Sequence, residues 1–433
     1  LTSPTAPPFC GRARPEAWLS RHWPWAGKIY RLSTMGFPFI PVPRSDETMD
    51  QVRRAARRAM FAEKPGWQCL SLRVLMTLAW PLGAVTEVLY YLSVMRPDER
   101  PKSSLAWAGR GYDMLALAVF RNVPPREYHT YRLHQPDRRT WITDCLYAPE
   151  GYPLLSWLNR RNGADNNTVQ DKAHFADLCR RHGLPCITTL AVFRDGSQLW
   201  PTTPFIPALP LLWAKDLTGS LGAGAARWRL DAEYYHNDDR QVTLSPKTLA
   251  RQWLLRDCLI QPCLTNHPAL AALSDGTLVD FRVVTGIHRD GRVEVVATLG
   301  HLPCGGPSRR RYITGAIDKD SQRLISPTLS GFQIIKHHPD TGAEITAQPI
   351  PFWRTALELV VNAHKKVPEF SRFVFLGWDV AITADGPLLI ETNSGWGAFN
   401  HQRGAGVPLG WTCFPGIVAE YLDFSQQGDA ACG

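Results

Sequence analysis

Hydrophobic and polar positions change rhythm near residue 162, and that change divides the chain. Before it the periods are helical. "DETMDQVRRAARRAMFAEK", from Asp46, has acidic residues in its first turn and arginines on one side, which predicts a helix stopped by Pro65-Gly66. The next run, "LRVLMTLAWPLGAVTEVLYYLSVM" from Leu72, is apolar almost throughout. Glu87 lies within it, and Pro81 with Gly83 interrupts it near the middle. Two packed helices are therefore expected. A helix pair lying on a membrane surface, favoured by the basic helix just before, and a membrane span both stay open. Residues 103–162 read as mostly helical and mixed, with Trp107, Tyr112, Leu115 and Leu117 between polar positions.

After residue 162 the runs become short and β-rich: "CITTLAVF", "PLLWAK", "CLIQPCL", "LVDFRVVTGI", "RVEVVATLG" and "GPLLIETN". Asp195-Gly196, Asp275-Gly276, Asp290-Gly291 and Asp385-Gly386 punctuate them as hairpin turns would. Helical patterns lie between, at 172–182, 246–255 and 353–366. The expectation is an α+β fold of antiparallel sheets over 163–427. It would follow an irregular segment, 1–45, and a mostly helical region, 46–162.

Composition changes this picture little. A chain of 433 residues with a formal charge of +9 can bury a sizeable core, and its charge suits an anionic ligand, an acidic membrane surface or nucleic acid without choosing among them. No Lys/Arg block is interleaved with aromatics, so no nucleic-acid partner is expected. Ten cysteines occur without a CxxC pair, which supports neither a zinc site nor a disulfide framework and fits a reducing cytoplasm. No signal-peptide pattern opens the chain. Met35 is the first methionine, and the segment before it reads as a mis-assigned start or a fragment edge.

Four stretches carry candidate chemistry. In "LGWDVAITADGPLLIETN", Glu391 and Asn393 are two apart on a strand and share a face, while Asp379 precedes the turn and can lie opposite them. Two carboxylates and an amide oxygen form a hard-oxygen cluster suited to Mg²⁺ on phosphates. "WAKDLTGSLGAGAARW" brings a strand lysine, Lys215, to a loop with Gly219, Ser220, Gly222 and Gly224. Such a loop is either a flexible hairpin tip or a phosphate lid, and no Walker A pattern follows it. "DFRVVTG" puts Asp280 and Arg282 on one strand face, as a structural pair or with the arginine free to stabilise phosphoryl charge. Asp171 reads as the N-cap of a helix opening with Lys172. His301 and His338 read as packed or capping side chains.

The order of these pieces resembles the ATP-grasp superfamily. With "NHPAL" before "VDFRVVTG", then "HPDTGAEITAQPIPFW" and "LGWDVAITADGPLLIETN", the chain more narrowly resembles the sugar-transfer-associated ATP-grasp family, related to glutamate-ligase-like enzymes. The resemblance covers about residues 145–425. It implies a fold in which two α+β subdomains grip ATP between antiparallel sheets. Lys172 and Lys215 would contact the phosphates under a lid of Gly219, Ser220, Gly222 and Gly224. Gln261, Pro262, Cys263 and Leu264 would form the adenine hinge, with Asn266 or His267 toward the ribose. Arg282 would reach the reacting phosphate, and Asp379, Glu391 and Asn393 would hold one or two Mg²⁺.

The chain departs from the family pattern at Arg309, Arg310 and Arg311, where an asparagine is expected. That run reads either as a carboxylate or phosphate site or as solvated surface. The implied activity is ATP- and Mg²⁺-dependent ligation of a small carboxylate to an amine or sugar acceptor through an acyl phosphate, linked to a surface or exported glycan. The expected location is cytoplasmic, with possible peripheral contact at the inner membrane face. A phosphotransferase and a non-catalytic nucleotide-binding subunit stay open as alternatives.

Overall fold

The computed structural model describes residues 47–429, apart from 63, 96–99, 220–223, 238–239, 307–310, 330–332 and 348. Its longer helices are α1 (Thr48–Phe61), α2 (Gly66–Ser93), α3 (Ser104–Arg121), α4 (Ala148–Arg161), α5 (Lys172–Arg181), α6 (Pro246–Trp253), α7 (Trp353–Lys366), α8 (Ala398–Ala405) and α9 (Phe414–Asp429). The chain divides into two compact units. Among the described residues, one holds 47–154, 397–403 and 407–429, and the other holds 155–396 with 404–406.

The first unit is helical. Residues of α2 and α3 and of the segment 123–147 (Val88, Tyr91, Leu92, Met114, Tyr128, Leu133 and Trp141 among them) form its core. The C-terminal helix α9 lies against α1, so both ends of the described chain belong to this unit. One expectation fails here. Residues 66–93 form a single helix that runs through Pro81, not two helices broken at it. A proline removes one helical hydrogen bond and crowds the preceding turn. Met76, Trp80, Gly83 and Ala84 are buried on both sides of Pro81, and Trp80 and Ala84 pack with Ala118 of α3, which holds the helix continuous. The opposite stripe of α2 is apolar and open: Trp67, Leu70, Leu78, Leu82 and Leu89 are each more than half exposed.

The second unit is built on two antiparallel sheets. The first contains β1 (Ala191–Arg194), β2 (Ser197–Trp200), β3 (Leu211–Asp216), β4 (Ala226–Asp231), β5 (Tyr234–Asn237), β6 (Val242–Leu244) and β7 (Cys258–Pro262), in the order β2-β1-β7-β3-β4-β5-β6. The second contains β8 (Asp280–Ile287), β9 (Val293–Cys304), β10 (Arg311–Ile317), β11 (Leu324–Leu329), β12 (Gln333–Ile334), β13 (Phe375–Thr383) and β14 (Gly386–Asn393). Their order is β12-β11-β10-β9-β8-β13-β14.

Alternation on these strands places the site. Phe281 and Val283 of β8 and Trp378 and Val380 of β13 enter a core shared with Trp353, Ala356 and Val360 of α7. Their neighbours Asp280, Arg282 and Asp379 must therefore project from the other face. Asp195-Gly196, Asp290-Gly291 and Asp385-Gly386 do join paired strands, and Asp195 and Gly196 have φ of 50° and 74°, as a type I′ turn requires. Asp275-Gly276 is instead part of a loop, where Asp275 accepts hydrogen bonds from the N–H groups of Thr277 and Gly306.

Candidate active site

The lysine loop forms as follows. Asp171 caps α5 by accepting from the N–H groups of Ala173 (2.9 Å) and His174 (3.1 Å), and Arg194 pairs with its second oxygen. That cap directs Lys172 toward the loop after β3. Its N–H donates to the Leu217 carbonyl (2.9 Å) and its Nζ to the Gly219 carbonyl (2.9 Å). The far side of the loop is pinned by Arg256, which pairs with Asp216 and donates to the Gly224 carbonyl (2.8 Å). Gly224, at φ 73°, has no room for a side chain, because a Cβ would strike the Asp216 carboxylate. Ser220 and Gly222 lie outside the described residues, as do Arg309 and Arg310.

Lys215 stands at the centre. It is 7% exposed. Burial drives its ammonium down to about 8, against the pull of Glu391, with Lys172 pushing the same way as burial and Asp379 opposing it. Lys215 of the first sheet, Lys172 of α5 and the carboxylates of the second sheet therefore share one electrostatic environment.

On the second sheet the register builds a row. Arg282 of β8 lies opposite Asp379 of β13, and Asp379 lies opposite Glu391 of β14. A β-bulge follows Asp379. Arg282 grips Asp379 through Nε and through Nη2, the latter at 2.7 Å from Oδ2. Burial works against the guanidinium charge, but the charge and hydrogen bonds of Asp379 more than offset it and hold Arg282 above the ordinary arginine range. Gly377 makes room for this pair. A Cβ there would sit 2.4 Å from the Trp396 Cβ and 3.2 Å from the Arg282 Cδ. Asn393 lies two residues beyond Glu391 on β14, opposite Gly377, and its Nδ2 is buried with no hydrogen-bond partner among the described residues.

Two carboxylates and a carboxamide fit a magnesium ion that shares its remaining positions with phosphate oxygens and water. Among the described residues no group of three or more His, Cys, Asp or Glu side chains converges as a self-sufficient metal cage.

The hinge strand β7 places Gln261 on the face that also carries Leu259, opposite Lys215. Gln261 is 3% exposed, and its Oε1 has no partner among the described residues. Pro262 has no N–H, and the Cys263 N–H is used by the Leu211 carbonyl (3.3 Å). The residues after the hinge are hydrogen-bonded to their surroundings. His267 donates its N–H to the Ile382 carbonyl (2.9 Å), and its Nδ1 accepts from the Ala269 N–H. Asn266 bonds Ser274, Thr277 and Val279. Leu264 lies just beyond the strand and is half-buried.

His338 is buried, with Nε2 bonded to the Pro303 carbonyl (3.1 Å), which suits the packing expected of it. His301 forms an unexpected pair. It lies opposite Asp280 on β9, and its Nδ1 is 2.8 Å from Asp280 Oδ2. Those residues are 21 apart in sequence, so only the strand register brings them together.

Comparison with known proteins gives one informative match. The model of the sugar-transfer associated ATP-grasp family matches residues 156–407, more than half of the chain. No curated protein matches. Among solved structures, the ADP complex of an N5-carboxyaminoimidazole ribonucleotide synthetase is 14% identical with a TM-score of 0.34, over 61% of this chain and 60% of its own. The D-alanine–D-alanine ligase of Bacillus anthracis is 10% identical with a TM-score of 0.35, over 64% and 77%. An L-amino acid ligase from Bacillus licheniformis is 11% identical with a TM-score of 0.32, over 67% and 60%. The chain thus spans less than two thirds of the synthetase and of the amino acid ligase.

Proposed function

The chain belongs to the sugar-transfer associated ATP-grasp family, and from its site we propose an ATP-dependent ligase that joins a carboxylate to an amine through an acyl phosphate. One observation carries the reading. Lys215 of β3 is 7% exposed, shares its electrostatic environment with Lys172 of α5 and with Glu391 and Asp379 of the second sheet, and burial outweighs those carboxylates in lowering its ammonium. A buried ammonium of this kind is stabilised by an anionic ligand, and a triphosphate between the sheets supplies one.

In this reading Lys172 and Lys215 bind the phosphates, with Gly219 and Gly224 shaping the loop that covers them. Gln261 and the hinge hold the base. Asp379, Glu391 and Asn393 would hold magnesium, which when bound neutralises the charge on the phosphates. Arg282 fixes the position of Asp379, and its guanidinium lends positive charge beside the transferred phosphoryl group. A substrate carboxylate attacks the γ-phosphorus and ADP leaves. The amine then displaces phosphate from the acyl carbon. Catalysis of this kind rests on positioning and electrostatics.

The family's sugar-transfer description points the substrate class toward glycan modification, and ATP use supports a cytoplasmic reaction. The open apolar stripe of α2, with exposed Arg58 and Lys64 just before it, supports peripheral docking on an anionic membrane surface. The test of the central reading is a screen of amino acids and sugar acids with MgATP and hydroxylamine, which traps acyl phosphates as hydroxamates. Acid-dependent hydroxamate supports the ligase. ADP release with a stable phosphorylated product and no hydroxamate would show a phosphotransferase instead.

A further inference from the structure

The ligase reading leaves one proton unassigned. An acceptor amine arrives mostly as an ammonium at neutral pH and must lose a proton before it can attack. The lysines and Arg282 are cations, and the carboxylates Asp379 and Glu391 are occupied in the row described above. The Asp280–His301 pair is not used by that mechanism.

Its placement suits the task. Asp280 is two residues from Arg282 on β8, so both project from the sheet face opposite the core residues Phe281 and Val283. His301 is on the adjacent strand in register with Asp280, while Leu299 faces Arg282. The His301 Cα is therefore about 8 Å from that of Arg282, from strand spacing and rise. Asp280 also contributes to the field that holds Arg282 charged.

The polar row continues away from β8. His301 lies opposite Thr314, and Thr314 lies opposite Thr328. The ring edge of His301 also meets Tyr312.

The pair has the geometry of an oriented base. Nδ1–H donates to Asp280 Oδ2, which leaves the lone pair on Nε2 as the basic site. Nε2 makes no hydrogen bond among the described residues. Side-chain exposures of 21% for His301 and 24% for Asp280 leave the pair reachable by a small molecule. A histidine that served packing alone would have both nitrogens bonded or buried, as His338 and His364 do.

Resting on the ligase reading, we propose that His301 is the base for the acceptor amine and that Asp280 is its positioning residue. An acceptor ammonium gives one proton to His301 Nε2. The freed nitrogen lone pair then forms the C–N bond as the C–O bond to phosphate breaks. The amine's second proton leaves with the phosphate, and His301 returns its own to solvent. Asp280 keeps the tautomer fixed and stabilises the imidazolium while it lasts.

The experiment partitions the acyl phosphate between two nucleophiles. Wild type, His301→Gln and Asp280→Asn are run with MgATP and the acid panel, using either hydroxylamine, which is unprotonated at neutral pH, or a panel of ammonia, amino acids and amino sugars. The ratio of amide to hydroxamate should fall roughly 100-fold in His301→Gln, the scale of lost general-base catalysis. It should fall about tenfold in Asp280→Asn, with Asp280→Glu restoring part of the loss. Equal loss of both products, or an unchanged ratio, overturns the assignment. His301→Asn is the second variant should the glutamine protein fail to fold. A wild-type protein that makes no hydroxamate with any acid refutes the ligase itself, and this assignment with it.

Discussion

Arg282 and Asp379 face each other across β8 and β13 and are joined by two hydrogen bonds, one of them 2.7 Å long. Side-chain exposures of 20% and 9% place the pair at the boundary of the interior, where breaking it leaves a charge without its partner. Asp379→Ala should destabilise the nucleotide-free protein by about 3 kcal/mol, more than Arg282→Met combined with Asp379→Leu does. Urea unfolding of the two variants tests this, and equal stabilities would show that the pair is solvent-screened.

Gly377 is the clearance for that pair. Gly377→Ala places a methyl against the Trp396 Cβ and the Arg282 Cδ, and overpacking of this kind should cost about 1–3 kcal/mol. Thermal unfolding should show the loss, together with weaker MgATP binding as Arg282 and Asp379 are displaced.

Lys215 gives a pH signature to nucleotide binding. Its ammonium, held down near 8, should be drawn back up by phosphate. At pH 8.5 ATP binding should therefore take up a proton, seen by calorimetry as a heat that varies with the buffer's ionisation enthalpy. Lys215→Met should abolish the uptake and weaken ATP roughly 10–100-fold, the loss of one charged hydrogen bond.

Glu127 lies in the first unit, on the short helix Pro125–Thr130, and it is 1% exposed. Burial pushes its carboxyl up to about 8, against the Ala148 N–H and Arg126, and with help from Glu87 and Glu150. The folded protein therefore holds a proton that the unfolded chain releases near its ordinary value of 4.5. The sign follows: stability falls as pH rises through the window from about 4.5 to 8, because ionisation is disfavoured in the fold. Glu127→Gln should be more stable than wild type at pH 8, on the order of 3 kcal/mol, with the gap closing toward pH 5. Denaturant midpoints at the two pH values decide it.

Much of this was legible before any coordinates. Asp171 capping α5, the strand ending at Lys215 and the hairpin of β13 and β14 follow from local rules of caps, alternation and Asp-Gly turns. Family resemblance, and not those rules, linked them into an ATP-grasp order. What escaped depends on contacts distant in sequence. Pro81 reads as a helix break because the residues that bury Trp80 and Ala84 lie in another helix. "DFR" does not say whether Arg282 is free or bonded, and the register with β13 shows it bonded to Asp379. The Asp280–His301 pair is invisible for the same reason, since only the pairing of β8 with β9 aligns them. Strands β4–β6 and β10–β12 were not anticipated; most are short, and β4 was missed although apolar and polar residues alternate along it.

The measurement that bears most directly on the account is calorimetric binding of ATP, with and without magnesium, to wild type and to Asp379→Ala/Glu391→Ala. The account predicts tight magnesium-dependent binding in the wild type. In the double variant it predicts weaker binding that no longer responds to magnesium, since Lys172 and Lys215 remain. Magnesium-dependent binding of equal strength in both proteins would contradict it.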